Sequence, residues 1–201
     1  MADTTIGVWP RWRGVRSRAF EWRSELPVAA RIGLAFCMAG VTGLSAQVRV
    51  PLPFTPVPFT GQVFAVLLAG VLLGRYYGAL SQLAYVGLGV AGVPWGTAGG
   101  AGIGWLLGPT GGYLIGFVLA AELIGQVSDR HEPARRFWPQ VGLMMLGVAV
   151  IYTCGTAWLA FVLHAGPAKA LALGAAPFIV GDAAKALVAA AISTAVLPKR
   201  P

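Results

Sequence analysis

Six long apolar segments follow one another along most of this chain, separated by short connections that are polar or rich in Gly and Pro. A helix needs about 20 mainly apolar residues to cross the hydrocarbon core of a membrane. The pattern therefore predicts an all-α membrane protein, a bundle of six transmembrane helices within a membrane domain at 28–198. The six segments lie at 28–45, 60–73, 78–93, 111–127, 141–163 and 177–197.

The second and third segments are shorter than the others, and only GRYY at 74–77 separates them. Each is too short for a span perpendicular to the membrane. We expect either two separate spans or one hairpin with shortened or tilted helices.

Composition supports insertion into a membrane. Of the 201 residues, 57% are hydrophobic and 11% are charged, and the mean hydropathy is +0.72. A typical soluble domain has roughly a quarter of its residues charged. The net charge of +8 would suit nucleic acid, but most basic residues lie outside the apolar segments, where membrane topology explains them. We expect the lipid bilayer as a partner and no nucleic acid.

Basic residues are distributed unequally between the two sides that alternate spans would define. Cytoplasmic loops of membrane proteins are enriched in Lys and Arg. With the N-terminus in the cytoplasm, the outer side receives only Arg49 and Lys169. This assignment predicts that both termini are cytoplasmic, and it places 12 of the 15 basic residues there: Arg11, Arg13, Arg16, Arg18, Arg23, Arg31, Arg75, Arg130, Arg135, Arg136, Lys199 and Arg200.

Residues 1–27 form a separate basic, Trp-rich segment before the membrane domain. Its Trp and Arg residues alternate, as in a helix that lies on anionic lipid. We expect a cytoplasmic or interfacial arm, with solvated disorder as the alternative.

The last apolar segment contains Asp182 and Lys185. Near the centre of a membrane helix each such charge costs roughly 2.5 to 3.5 kcal/mol unless it is paired, hydrated or bound. Residues three apart share one face of a helix, so the two side chains are expected to act together. Three interpretations remain: a ligand-binding pair, a purely structural ion pair, or an Asp182 that only caps a helix.

Other polar side chains lie near the predicted outer side. Gln62 begins the second segment, Tyr85 lies in the third, and Trp95 opens a Gly-rich loop at 94–112. This loop and the Pro-rich connection at 49–59 are expected to cover an outward-facing cavity, with simple tight turns as the alternative. Such residues suit a small, partly polar ligand that contains a ring.

Glu122 lies closer to the cytoplasmic end. We expect it to snorkel or to pair with an Arg.

Signatures of enzymes and metal sites are missing from the sequence. It has no HExxH, GxSxG or P-loop motif, and Cys37 and Cys154 lack the spacing of metal ligands. We expect no catalytic activity, no metal and no cofactor. Any ATP-driven process would require partner proteins.

Three motifs resemble the BioY family, the biotin-specific substrate-binding (S) components of energy-coupling factor (ECF) transporters. They are PFTPVPFTGQ at 53–62, GPTGGY at 108–113 and GDAAK at 181–185. The resemblance implies a six-helix protein of the bacterial cytoplasmic membrane that captures biotin from outside. Its implied partners are a transmembrane coupling (T) protein and two ABC-type ATPases.

The resemblance also implies roles for individual residues. Asp182 and Lys185 match the family's Asp and Lys, which look like ligand-contacting groups, and Gln62 matches a Gln of the Pro-rich motif. Tyr85 and Trp95 are expected to cover the apolar part of biotin. The strip Ala35, Ala39 and Gly43 on the first helix resembles a docking motif for the coupling protein.

Two other functions remain possible at this stage. A self-sufficient permease or channel would use Asp182 and Lys185 as a gate or proton relay. An assembly subunit without a ligand would keep the small-residue strip and make the pair structural. Which end of biotin Lys185 contacts is also open.

Overall fold

The computed structural model describes residues 25–197, so nearly all of the predicted arm at 1–27 lies outside the described residues. Two short strands, β1 at Arg49–Val50 and β2 at Phe59–Thr60, interrupt a helical chain. Short 3-10 turns lie at Thr97–Gly99, Glu132–Arg135 and Ala176–Phe178. The helices are α1 Val28–Gln47, α2 Gln62–Val90, α3 Ile103–Leu107, α4 Gly111–Arg130, α5 Phe137–Val162, α6 Pro167–Gly174 and α7 Ile179–Val196.

Within residues 25–197, five helical stretches are long and apolar enough to cross a membrane. They comprise α1, α2, α4, α5, and a combined stretch from α6 to α7 at Pro167–Val196. A helical membrane protein, as predicted, is confirmed.

Helix α2 reverses direction at Gly74, although its backbone is otherwise helical from Gln62 to Val90. Gly74 has φ 76° and ψ −175°, a conformation that is nearly restricted to Gly. A Cβ on Gly78 would lie 3.0 Å from the carbonyl oxygen of Ala69. In a straight helix these residues would be more than 13 Å apart, at about 1.5 Å per residue. The two halves of α2, 62–73 and 75–90, therefore form an antiparallel hairpin.

This hairpin corresponds to the second and third predicted segments. The prediction of a connection at 74–77 is wrong apart from Gly74, because helix resumes at the next residue. A single Gly suffices for the reversal. Gly125 of α4 lies against the turn, where a Cβ would come within 2.4 Å of the Arg75 amide nitrogen.

Helix α4 packs between α2 and α5 and contributes much of the core. Its Phe117, Ala120, Ala121 and Ile124 are buried. Near the Gly74 turn, Arg75 Nη2 lies 2.7 Å from Glu122 Oε1. The expectation that Glu122 pairs with an Arg is confirmed.

Helix α1 packs its small residues against the rest of the bundle. Ala35 and Ala39 have 0% exposure, and a Cβ on Gly43 would lie 3.0 Å from the Trp95 ring. Thr42 accepts a hydrogen bond from Gln82 of α2. The strip thus allows close packing in this conformation, and its docking role stays a prediction.

Candidate functional site

A cavity lies at the end of the bundle where α1, α4 and both halves of α2 meet the connections 48–61 and 91–110; we call this the loop end. Polar groups on the cavity wall come from both connections and from α2, α5 and α7. They include Gln62, Thr97, Tyr152 and Asp182. The remaining wall is mainly apolar and aromatic: Val57, Pro58, Phe59, Val63, Trp105, Tyr113, Leu114, Phe117, Ile151 and Phe178, with Thr60 and Thr110.

Asp182 projects from the first turn of α7 onto this wall. Helix α7 begins at Ile179 and its N-cap is Phe178, so the interpretation of Asp182 as a helix cap is wrong. Asp182 is only 3% exposed. Its Oδ2 accepts a hydrogen bond of 2.6 Å from Tyr152 Oη, and its Oδ1 accepts one of 2.7 Å from Lys185 Nζ. Both oxygens are thus held by donors on neighbouring turns or helices.

Lys185 lies behind Asp182 and is not part of the cavity wall. Its Nζ also donates to the backbone carbonyl of Thr60 and lies 3.6 Å from the centre of the Phe59 ring. Phe59 is stacked in turn on Phe178. Lys185 therefore neutralises Asp182 and ties α7 to strand β2.

Gln62 reaches the cavity from the start of α2, as its position in the sequence suggested. Its Nε2 donates to Tyr85 Oη at 2.8 Å, which joins the two halves of α2. Its Oε1 accepts from Thr60 and Thr97. Gln62 is thus held by three hydroxyl groups, and those of Thr60 and Thr97 belong to wall residues and can also bond to a ligand.

Tyr85 and Trp95 lie one layer behind the wall. Tyr85 has 0% exposure, and its ring packs against Trp95 and edge-on against Trp105. Trp95 Nε1 donates to the Tyr85 carbonyl oxygen. Trp105, rather than Trp95, forms part of the wall. Direct contact of Tyr85, Trp95 and Lys185 with a ligand stays a prediction, and this structure shows them supporting wall residues.

The sequence alone did not single out Tyr152, Trp105 or Thr97 as site residues. Tyr152 lies in the apolar helix α5, and no charged residue within that helix indicates a binding site there. The Gly-rich loop at 94–112, which contains Thr97 and Trp105, was expected to cover the cavity, but that expectation did not single out these two side chains. A buried Tyr usually finds a hydrogen-bond partner, which is the one signal that could have drawn attention to it.

The expected cover over the cavity is present in this structure. Strand β1 pairs with β2, with Arg49 opposite Thr60 and Val50 opposite Phe59, and the Pro-rich segment between them reverses direction through a turn at Pro53 and Phe54. The Gly-rich connection folds back through the turn Thr97–Gly99 and helix α3, which carries Trp105. Thr55 Oγ1 donates to the Leu173 carbonyl oxygen of α6. Both connections are therefore fixed to the bundle.

The site can bind a small molecule through several kinds of contact. A carboxylate and hydroxyls accept or donate hydrogen bonds, and aromatic rings enclose apolar surface. Within residues 25–197, no three His, Cys, Asp or Glu side chains are grouped as a metal site would require. These features describe a ligand pocket.

Two relatives resemble this chain in sequence. The chain is similar to the probable biotin transporter BioY of Methanothermobacter thermautotrophicus, with 47% identity over 141 residues, or 67% of this chain and 90% of that protein. It is also similar to the biotin transporter BioY of Thermotoga maritima, with 40% identity over 144 residues, or 72% of this chain and 83% of that protein.

A solved structure also resembles the described fold. It is the S-component for biotin from an ECF-type ABC transporter, with a TM-score of 0.76 and 28% identity, covering 83% of this chain and 89% of that one. The model of the BioY family matches residues 17–201, beginning inside the predicted arm. On these matches, the chain belongs to the BioY family.

Proposed function

We propose that this protein captures biotin and supports its uptake as the substrate-binding component of an ATP-driven ECF transporter. The observation that carries this proposal is Asp182, a carboxylate that faces an aromatic-lined cavity in a BioY-family chain. Biotin has a ureido ring with N–H donors, an apolar thioether ring, and an aliphatic chain ending in a carboxylate. Asp182 accepts a ureido N–H, and Trp105 and Phe178 enclose the ring.

The remaining site residues act at different distances from biotin. Gln62 and its neighbouring Thr hydroxyls bond to the ligand's polar groups. Tyr85 holds Gln62 and Trp105 in place, and Trp95 packs on Tyr85. Lys185 pairs with the Asp182 carboxylate and orients it. We infer that Lys185 acts mainly through this carboxylate.

In the proposed topology, the hairpin of α2 contributes two spans and the bundle has six. Both termini then lie in the cytoplasm and the loop end faces outward, in the cytoplasmic membrane of a bacterium. This arrangement is supported by the antiparallel contacts across Gly74 and by the uneven distribution of basic residues. Biotin then enters from outside, beneath the two connections.

Partner proteins complete the proposed transporter. The sequence has no P-loop, so energy must come from elsewhere. We propose a transmembrane coupling protein and two ABC-type ATPases as these partners, and no enzymatic activity for this chain. Docking of the coupling protein on Ala35, Ala39 and Gly43 requires α1 to move, because these residues are packed inside the bundle. The alternative of a self-sufficient permease gated by Asp182 and Lys185 is not favoured by the family's biotin S component.

Titration of the purified full-length protein with biotin tests the proposed function. We expect saturable binding below micromolar biotin, and at least about tenfold weaker binding by Asp182→Asn, since a hydrogen bond to a charged group contributes about 1.5 to 3 kcal/mol. Glu122→Gln is the matched control, because it removes a carboxylate that is not on the cavity wall. It should bind biotin like the wild type. Absence of wild-type binding at micromolar biotin would refute the proposal.

A second variant covers the possibility that Asp182→Asn does not fold. Tyr152→Phe removes only the hydroxyl that donates to Asp182 and keeps the ring in place. We expect weaker biotin binding with nearly unchanged thermal unfolding. Equal affinity in both variants and the wild type would show that Asp182 does not contact the ligand.

A further inference from the structure

A second cavity adjoins the biotin site on its outer side. The two cavities share the wall residues Pro58, Thr97, Trp105 and Thr110. The inner cavity has a volume of about 50 Å³ and the outer cavity about 370 Å³. The outer one is lined by the Pro-rich and Gly-rich connections, including Arg49, Pro51 and Leu52. A ligand whose ring occupies the inner cavity can therefore extend a chain into the outer one.

The two cavities differ in charge. Within the part of the chain that the structure describes, the inner wall carries the carboxylate of Asp182 and no Lys or Arg, whereas Arg49 is the cation on the outer wall. An anionic group on a ligand finds no cation on the inner wall, whereas Arg49 attracts it to the outer wall. The charge pattern thus favours one orientation of an elongated ligand, with its anionic end in the outer cavity.

Arg49 is well placed for this role. It lies in β1, directly opposite Thr60 of β2, and this pairing fixes its backbone beside the inner cavity. The side chain is exposed, and within residues 25–197 we find no ion pair that involves it. Its guanidinium can therefore form a bidentate contact with a carboxylate.

Lys185, the other cation near the site, is already engaged. Its Nζ is shared among Asp182, the Thr60 carbonyl and the Phe59 ring, and it lies outside both cavity walls. Binding a ligand carboxylate would require Lys185 to leave Asp182 without its counter-ion. Such a loss is strongly unfavourable in a buried site.

We propose that Arg49 is a specificity residue, which binds the carboxylate at the end of the ligand's aliphatic chain in the outer cavity. The proposal rests on the proposed function, in which the ureido ring of biotin occupies the inner cavity beside Asp182. Arg49 then distinguishes the free acid from neutral derivatives of the same ring system. It also draws anionic ligands toward the entrance.

The test compares two probes, biotin and biotinamide, in which a neutral amide replaces the carboxylate. We expect Arg49→Gln to bind biotin about fivefold more weakly than the wild type, as for a partly exposed ion pair, and to bind biotinamide within about twofold. Arg49→Lys should retain part of the preference for biotin. Higher ionic strength should reduce the preference of the wild type but not that of Arg49→Gln.

Lys169→Gln is the matched control, because it removes another exposed basic residue that lines neither cavity. It should leave the affinities for both probes unchanged. Equal weakening of both probes by Arg49→Gln, or no weakening of either, would overturn the role of Arg49 while leaving biotin capture intact. If the wild type binds neither probe, the proposed function fails, and this proposal fails with it.

Discussion

The side chains of Asp182 and Lys185 form a buried ion pair, so each depends on the other for its charge partner. Both are largely buried, and Lys185 Nζ lies 2.7 Å from Asp182 Oδ1. Removing one partner of a buried ion pair leaves an uncompensated charge, which costs about 3 to 5 kcal/mol, whereas replacing both is often nearly neutral. Stability and biotin binding can therefore be separated with paired substitutions.

We predict that Lys185→Met lowers the free energy of unfolding by about 3 to 5 kcal/mol, because Asp182 loses its counter-ion. The double variant Asp182→Asn with Lys185→Met should recover most of this stability but bind biotin at least about tenfold more weakly than the wild type. Thermal unfolding in detergent without biotin, together with biotin titration, measures both effects. Wild-type affinity in the double variant would instead assign the pair a structural role alone.

Among the helices, α1 has one face for which two roles compete: packing within the bundle and docking of the coupling protein. The strip that resembles a docking motif is packed against α2 and Trp95, as small residues allow when membrane helices approach closely. A role in docking would require these residues to become accessible in the assembled transporter. A substitution on this face can test the two roles separately, through the stability of the isolated protein and through its binding to the coupling protein.

We predict that Ala39→Leu destabilises the isolated protein by about 1 to 3 kcal/mol, because the larger side chain overfills a fully buried position. This corresponds to a fall of several degrees, at about 2 to 4 °C per kcal/mol, in thermal unfolding. Gly40→Ala is the control, since an added Cβ there meets no neighbour. Unchanged unfolding of Ala39→Leu, combined with loss of co-purification with the coupling protein, would indicate an exposed docking face.

For the bundle as a whole, the direction of each span follows from the reversal at Gly74. If α2 crosses the membrane twice, residues before α2 and after α4 lie on opposite sides; if it crosses once, they lie on the same side. The bond between Gln62 and Tyr85 supports two crossings, since these side chains lie in different halves of α2. This difference can be measured in intact cells.

We predict that Val48→Cys and Lys169→Cys react with a membrane-impermeant maleimide from outside, whereas His131→Cys reacts only after the cells are permeabilised. Each is placed in a background in which the native Cys37 and Cys154 are replaced by Ala. Val48, His131 and Lys169 are exposed in the structure, so access should reflect the side of the membrane. Labelling of Val48→Cys and His131→Cys from the same side would contradict the six-span topology.

The sequence by itself determined the class of protein and much of the helix pattern. Long apolar runs leave few alternatives in a membrane, where backbone groups must be satisfied within each helix. The pattern also singled out Asp182, Lys185 and Gln62 as residues that need polar partners, because a polar group in such a run is unfavourable without one. Local preferences were sufficient for these predictions.

Only the tertiary structure decided which side chains face the cavity. In the structure, Tyr152 and Trp105 form part of the cavity wall, whereas Lys185, Tyr85 and Trp95 lie behind it. The tertiary structure also placed the α1 strip inside the bundle and Arg49 at the outer cavity. The physical reason is that these positions depend on contacts between residues far apart in the chain, such as Tyr152 with Asp182. Helical periodicity predicts which residues share a face, but it does not specify which neighbouring element that face will contact.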